Sequence, residues 1–158
     1  MGFALSNLTV TSSAFESHAA IPSRHTGEGD DISPALGWQA LPEESISLAV
    51  FCHDPDAPLA KPGGYGFTHW VLYDLPVSLG GLEQGTAAGT PGVNDFGNSG
   101  YNGPMPPEGH GVHHYYFWVL ALDKELGLAA GLTLEQFMQA AEPHVIGMNR
   151  LIGTYKRD

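Results

Sequence analysis

The chain is poor in cysteine, in basic side chains and in long apolar runs, and each shortage removes a class of function. Of its 158 residues only one, Cys52, is a cysteine. It cannot form an internal disulfide or supply a cysteine-based zinc cluster. Because it follows an apolar run, it reads as a buried, inert thiol. Six Lys and Arg stand against 17 Asp and Glu, a formal charge of −11. Arg24, Lys61 and Lys124 are widely spaced, while Arg150, Lys156 and Arg157 gather near the end. This distribution does not suit neutralising a nucleic-acid backbone or docking on an anionic membrane. No 18-residue apolar stretch marks a membrane span, and the opening residues lack the basic and apolar segments of a signal peptide, so a cytoplasmic location is expected. The nucleophile elbow, the phosphate-binding P-loop and the dinucleotide fingerprint are all missing. Asp54 and Asp56, two apart beside one proline, are too close in the chain to flank a glycosidic bond.

What is present points to one folded domain spanning 1–158. Hydrophobic residues make up 42% and charged ones 15%, which suits a sizeable core. The 21 glycines and 12 prolines call for many turns and argue against a helical bundle. Strands are expected over Phe3–Val10, Ser45–His53, Phe67–Leu75, His113–Asp123 and Leu151–Tyr155. Alternation places Phe67, His69, Val71 and Tyr73 on one face of their strand. The His113 strand is apolar on both faces and should be central. Pro55 and Pro58 make residues 54–58 a rigid, extended strand exit. Residues 85–111, rich in Gly, Pro and Asn, form a long irregular connection of the kind that carries function. Thr133 and Gln136 form a capping box ahead of Leu134, Phe137, Met138 and Ala141, predicting a short amphipathic helix that ends or bends at Pro143. The sum is a mostly β, sandwich-like fold with one or two short helices near the C-terminus.

Five of the eight histidines fall between positions 53 and 114, at strand ends or beside the Gly/Pro loop. Were the strands neighbours, Asp54, Asp56, His69 and His113 would converge at one edge of the sandwich. An aspartate accepting from an imidazole fixes its tautomer and raises its pKa. Three readings remain open on the residues alone. The carboxylates cap turns and the histidines fill strand-end pockets; or two His and one or two Asp hold a metal; or imidazoles, hydroxyls and loop amides build an anion pocket without Lys or Arg. Ligand spacings such as His-Glu-x-x-His, which would favour the metal, do not occur. His18, His25 and His144 read as structural, and His110 and His114 as loop or strand residues.

The ordered segments Asp54-Pro-Asp-Ala-Pro58, His69-Trp70 and Gly100-Tyr-Asn-Gly-Pro-Met-Pro-Pro-Glu-Gly109, followed by His113 and Tyr115, resemble the phosphatidylethanolamine-binding protein family, in particular its bacterial Raf-kinase-inhibitor-like branch. The likeness runs from Ile32-Ser-Pro-Ala-Leu-Gly-Trp38 to Leu151-Ile-Gly-Thr-Tyr155. It implies an antiparallel two-sheet β fold with a small pocket that binds phosphate groups of lipid headgroups or phosphorylated side chains. Carried across, the ligand-binding residues are Asp54, Asp56, Pro58, His69, Pro106, Pro107, Gly109, His113 and Tyr115. The histidines would donate to the anion, and the Asp pair would orient them and receive a headgroup amine. The resemblance implies no cofactor or metal, a regulatory or inhibitor-like role toward a kinase or protease, and a homodimer. The rival expectation is an enzyme, a phosphoester hydrolase or metal-dependent one, with His69 or His113 as acid/base. Three positions depart from the family pattern: His53 replaces an acidic residue, Asn102 an aspartate, and His114 an arginine, removing a fixed charge.

Overall fold

The run HHYYFWVLAL forms strand β7 (His113–Leu122), and the rest of the molecule is arranged about it. The computed structural model describes residues 5–57 and 65–158. Within these, β3 (Ser47–Asp54) and β8 (Val145–Tyr155) flank β7 on either side, both antiparallel. The sheet continues from β3 to β4 (Phe67–Pro76) and ends at the short β6 (Thr90–Pro91). A second antiparallel sheet joins β1 (Thr9–Thr11), β2 (Leu36–Gln39) and β5 (Gly81–Leu82) in that order.

Alternation along β3 and β7 feeds two cores, because both faces of the large sheet are apolar. Leu48, Val50, Cys52, Tyr115, Phe117 and Val119 turn inward, where Leu36, Trp38 and Leu82 of the small sheet meet them. Ala49, Leu120 and Leu122 point outward to the helix α1 (Leu134–Ala141), whose Phe137 stacks on Tyr73 at 5.2 Å. The helix covers only part of this outer face. Toward the other end Phe51, Tyr116 and Trp118 are half-buried, and Arg150 lies 5.5 Å over the Trp118 ring.

The capping box is formed in both directions: the Thr133 hydroxyl accepts from the Gln136 amide and the Gln136 side chain accepts from the Thr133 amide. The expected first strand is shorter and later than its pattern implied, since β1 starts at Thr9 and Phe3 and Ala4 lie outside the described residues. The closing strand is longer than expected, because Gly147 and Gly153 lie within it at close approaches rather than breaks. A Cβ at Gly147 would sit 2.7 Å from Pro42, and one at Gly153 2.6 Å from Ile21. Residues 55–57 turn instead of running on as an extended exit, and Pro58 lies outside the described residues. The Asp54 side chain accepts the Asp56 amide at 2.8 Å and bends the chain back.

Strict alternation fails in β4 as well. Trp70 pairs with Cys52 and Thr68 with His53, so His69 is the extra residue of a bulge. Val71 and Tyr73 face the helix, whereas His69 is delivered to the opposite side, beside Tyr115. Replacing the fully buried Phe117 by alanine should cost about 3–5 kcal/mol, checked by urea denaturation. A loss below about 1 kcal/mol would show that β7 is not the strand on which the core depends.

Candidate functional site

Three strand ends meet at one edge of the large sheet: the exit of β3 at Asp54, the entry of β4 at Phe67 and the entry of β7 at His113. Asp54 and His113 are both about 2% exposed. The His113 Nδ1–H donates to Asp54 Oδ2 at 2.7 Å, and the other carboxylate oxygen holds the Asp56 amide. His69 donates from Nδ1 to the Asn102 carbonyl at 2.8 Å. Tyr115 lies between the two histidines, 5.3 Å from the His69 ring and 6.4 Å from the His113 ring. Its buried hydroxyl has no hydrogen-bond partner of good geometry among the described residues.

These groups border a cavity of about 340 Å³, together with Ala57, Phe67, Phe96, Met105, Pro106 and Pro107. One wall is aromatic. Phe67 lies 4.9 Å from the His69 ring and 4.7 Å from Phe96. Phe96 and Met105 are 46% and 40% exposed, so the mouth of the cavity is apolar while its floor is polar.

The rim is held from outside. Asn102, whose carbonyl fixes His69, donates its amide to Asp31 at 2.8 Å and accepts from Asn94 and Asn98. An aspartate there would face Asp31 with a like charge, so asparagine suits this chain's own network. Arg157, beyond β8, donates to the Pro106 carbonyl and to Glu108, both at 3.2 Å, and lies 3.4 Å from Glu28. Its own carbonyl accepts the Gly109 amide. The loop carrying both prolines is thus tied to the end of the chain.

Of the nine residues expected at the site, six border the cavity: Asp54, His69, Pro106, Pro107, His113 and Tyr115. Pro58 lies outside the described residues. Gly109 shapes the rim loop at φ +71° without lining the cavity. Asp56 does not orient either pocket histidine. It accepts from both the backbone amide and the Nδ1–H of His114, at 2.8 and 2.7 Å. His114, standing where the family pattern has an arginine, thus holds Asp56 through two hydrogen bonds. His53 donates to the Tyr65 carbonyl and does not line the cavity.

The sequence reading missed Phe67, Phe96 and Met105, whose apolar character marks them equally well for a core. It also missed His110, whose Nδ1 lies 2.6 Å from His113 Nε2. His110 precedes His113 by three residues in a glycine-flanked loop, and that proximity was the available signal.

At His69 the electrostatics run against the rise in pKa that an aspartate partner gives an imidazole. Burial pushes the His69 pKa below its usual value, against the opposing pull of the Asn102 carbonyl and the Asp54 charge. His69 is therefore neutral near pH 7, with its proton on Nδ1 and the lone pair on Nε2. Burial, and then the Asp54 charge, push the Tyr115 phenol well up, so its hydroxyl stays protonated and able to donate. Burial also works against the Asp56 charge, but the two hydrogen bonds from His114 outweigh it and hold the carboxyl below its ordinary value. Among the described residues no group of three or more His, Cys, Asp or Glu is disposed to hold a metal ion.

Sequence and fold comparisons agree on where the chain belongs. The family described as phosphatidylethanolamine-binding protein matches residues 11–156. A UPF0098 protein of Methanothermobacter thermautotrophicus is 42% identical over 151 residues, covering 91% of this chain and 95% of that protein. One from Pyrococcus abyssi is 42% identical over 154 residues, covering 92% and 84%. Among solved structures, a phosphatidylethanolamine-binding protein homologue from Chlamydia trachomatis superposes with a TM-score of 0.88 at 35% identity, over 96% of this chain and 98% of that one. Escherichia coli YbcL, described as a member of the mammalian family, gives 0.87 at 28% identity, over 97% and 100%. The chain belongs to the phosphatidylethanolamine-binding protein family.

Arg157→Ala should loosen the rim without unfolding the sheet. Losing a partly exposed ion-pair network costs about 1 kcal/mol, equivalent to roughly fivefold faster hydrogen exchange at the Gly109 amide. Unchanged exchange there would remove Arg157 from the role of rim clamp. The buried histidines set a second expectation. His25 and His69 both have lowered pKa values, so the unfolded chain binds more protons below pH 6.5. Stability should be full above that value and fall as pH drops from 6.5 toward 5. A melting temperature that is flat or rises over that interval would show that these imidazoles fold in their charged form.

Proposed function

We propose that the chain binds a small ligand bearing a phosphate group in the cavity between Asp54, His69 and His113, and acts by binding rather than catalysis. The observation that carries this reading is the pair of buried imidazoles, each anchored through Nδ1 and bordering the same cavity. Anchoring fixes which nitrogen is left for a ligand and lowers the entropy lost on binding. The Tyr115 hydroxyl, kept protonated by burial and the Asp54 charge, supplies a further donor at the floor. The Asp54 carboxylate offers lone pairs to an amine attached to the phosphate, and Phe67, Phe96 and Met105 offer an apolar surface to its carbon chain. Relatives named for phosphatidylethanolamine binding support the same ligand chemistry. A regulatory output through a protein partner is the extension of this reading.

The test is a titration of isotope-labelled protein with inorganic phosphate and with O-phosphoethanolamine. His69 and His113 ring signals should move first, and His69→Ala should weaken binding about tenfold, as for loss of the hydrogen bond that His69 Nε2 accepts from a phosphate hydroxyl or a ligand ammonium. Largest shifts at any other part of the surface would sink the assignment. The Asp54–His113 pair also has the geometry of a general base and its orienter. Phosphomonoester turnover is therefore measured on the same samples. Turnover that disappears in His113→Gln would replace the binding reading with a hydrolytic one.

A further inference from the structure

We infer that His110 is an anion-binding residue that works as a pair with His113: an oxyanion enters between the two imidazoles and accepts a hydrogen bond from each. The inference rests on the cavity being the ligand site, and adds a residue and a mode of binding to it.

A buried carboxylate, a buried imidazole and an exposed imidazole stand in a row. Asp54 Oδ2 accepts from His113 Nδ1, and His113 Nε2 faces His110 Nδ1 at 2.6 Å, with ring centroids 4.8 Å apart and planes at 58°. Because a carboxylate only accepts, His113 Nδ1 keeps its hydrogen, and Nε2 is the one nitrogen it can offer to a ligand. That nitrogen is already engaged by His110. Two nitrogens at this distance share a single proton, since two N–H groups pointed at each other would clash. An anionic oxygen reverses the requirement: both facing nitrogens then carry hydrogen and both donate to it. The second proton is taken up from solvent as the anion enters, so the pair gains one positive charge against the negative charge that the oxyanion brings, and atoms and charge balance. Ionisable groups on elements around the pair are Asp54 on β3 and Asp56 in the turn after it, His69 on β4, His114 and Tyr115 on β7 and Tyr155 on β8, with Glu108 and Arg157 on the rim. None of these has a described hydrogen bond to His110.

His110 is free to make the move. It is exposed and lies between Gly109 and Gly111, at φ +71° and +93°, with open space around both α-carbons. The ring can therefore withdraw to admit an oxygen and close on it without disturbing the strand that holds His113.

Sulfate is the probe, because it has no proton to exchange near neutral pH, and inorganic phosphate is its companion. In [15N]histidine spectra the free protein should show one protonated nitrogen across the facing pair, and the sulfate complex two. His110→Ala should weaken sulfate binding about tenfold, with partial rescue in His110→Gln, whose amide can still donate. Tighter binding in His110→Ala would overturn the proposal by making His110 a plug that competes for His113. Equal binding in His110→Ala, with loss in Tyr115→Phe, would also overturn it while leaving the cavity as the ligand site. Wild-type protein that binds neither sulfate nor phosphate would remove the cavity reading and this one together.

Discussion

The hydrogen bond from His113 to Asp54 is the constraint on which this end of the molecule depends. A carboxylate with so little exposure needs a charged or strongly polar partner, because stranding it would cost several kcal/mol. The partner must come from another strand, since the other oxygen of Asp54 is committed to the turn that carries the chain out of β3. The pairing of His53 with Tyr116 puts the start of β7 within reach. Asp56, two residues on, then finds His114, two-fold bonded through backbone and side chain. Two neighbouring carboxylates thus engage two consecutive histidines, and each negative charge has its own partner. The turn, the strand register and the cavity floor are consequences of one local arrangement.

That arrangement was partly visible in the sequence. Strands with apolar residues on both faces, such as His113–Leu122, could be read because nothing else accounts for so long a run, and the helix could be read from Thr133 and Gln136 at the capping spacing. The short strands Leu36–Gln39, Gly81–Leu82 and Thr90–Pro91 were not, because two to four residues carry no period and their pairing depends on tertiary contacts. His69 shows the limit most plainly. Its strand was located, but perfect alternation assigned it to the face of Val71 and Tyr73, and one bulge sends it to the opposite side. A bulge is a property of two strands together, and one strand's pattern cannot report it.

Among the site residues, polar groups were easier to find than apolar ones. Asp54, His69 and His113 stand out because ionisable side chains at strand ends invite an explanation. Phe67, Phe96 and Met105 read as core until the structure shows where the surface opens. Partner choice was hardest. Asp56 was grouped with the pocket histidines by sequence proximity to Asp54, yet it reaches the neighbouring His114. The same logic hid His110, which needed the position of His113 Nε2 before its role had any meaning.

The shortage of basic residues acquires a narrower sense at this site. A protein of net charge −11 repels anions at long range, but that field is screened within about 8 Å at physiological ionic strength. Inside the cavity the relevant charges are few and close. The guanidinium at the rim, Arg157, is already engaged with Pro106, Glu108 and Glu28. What remains for an anion is a set of directional donors: the facing His113 and His110 imidazoles and a phenol that burial keeps protonated. Such donors act over hydrogen-bond distances and require the ligand to fit, whereas a lysine or arginine cluster would attract any polyanion from afar. Excluding extended polyanions and selecting a small one are therefore compatible, and in this chain the same composition serves both.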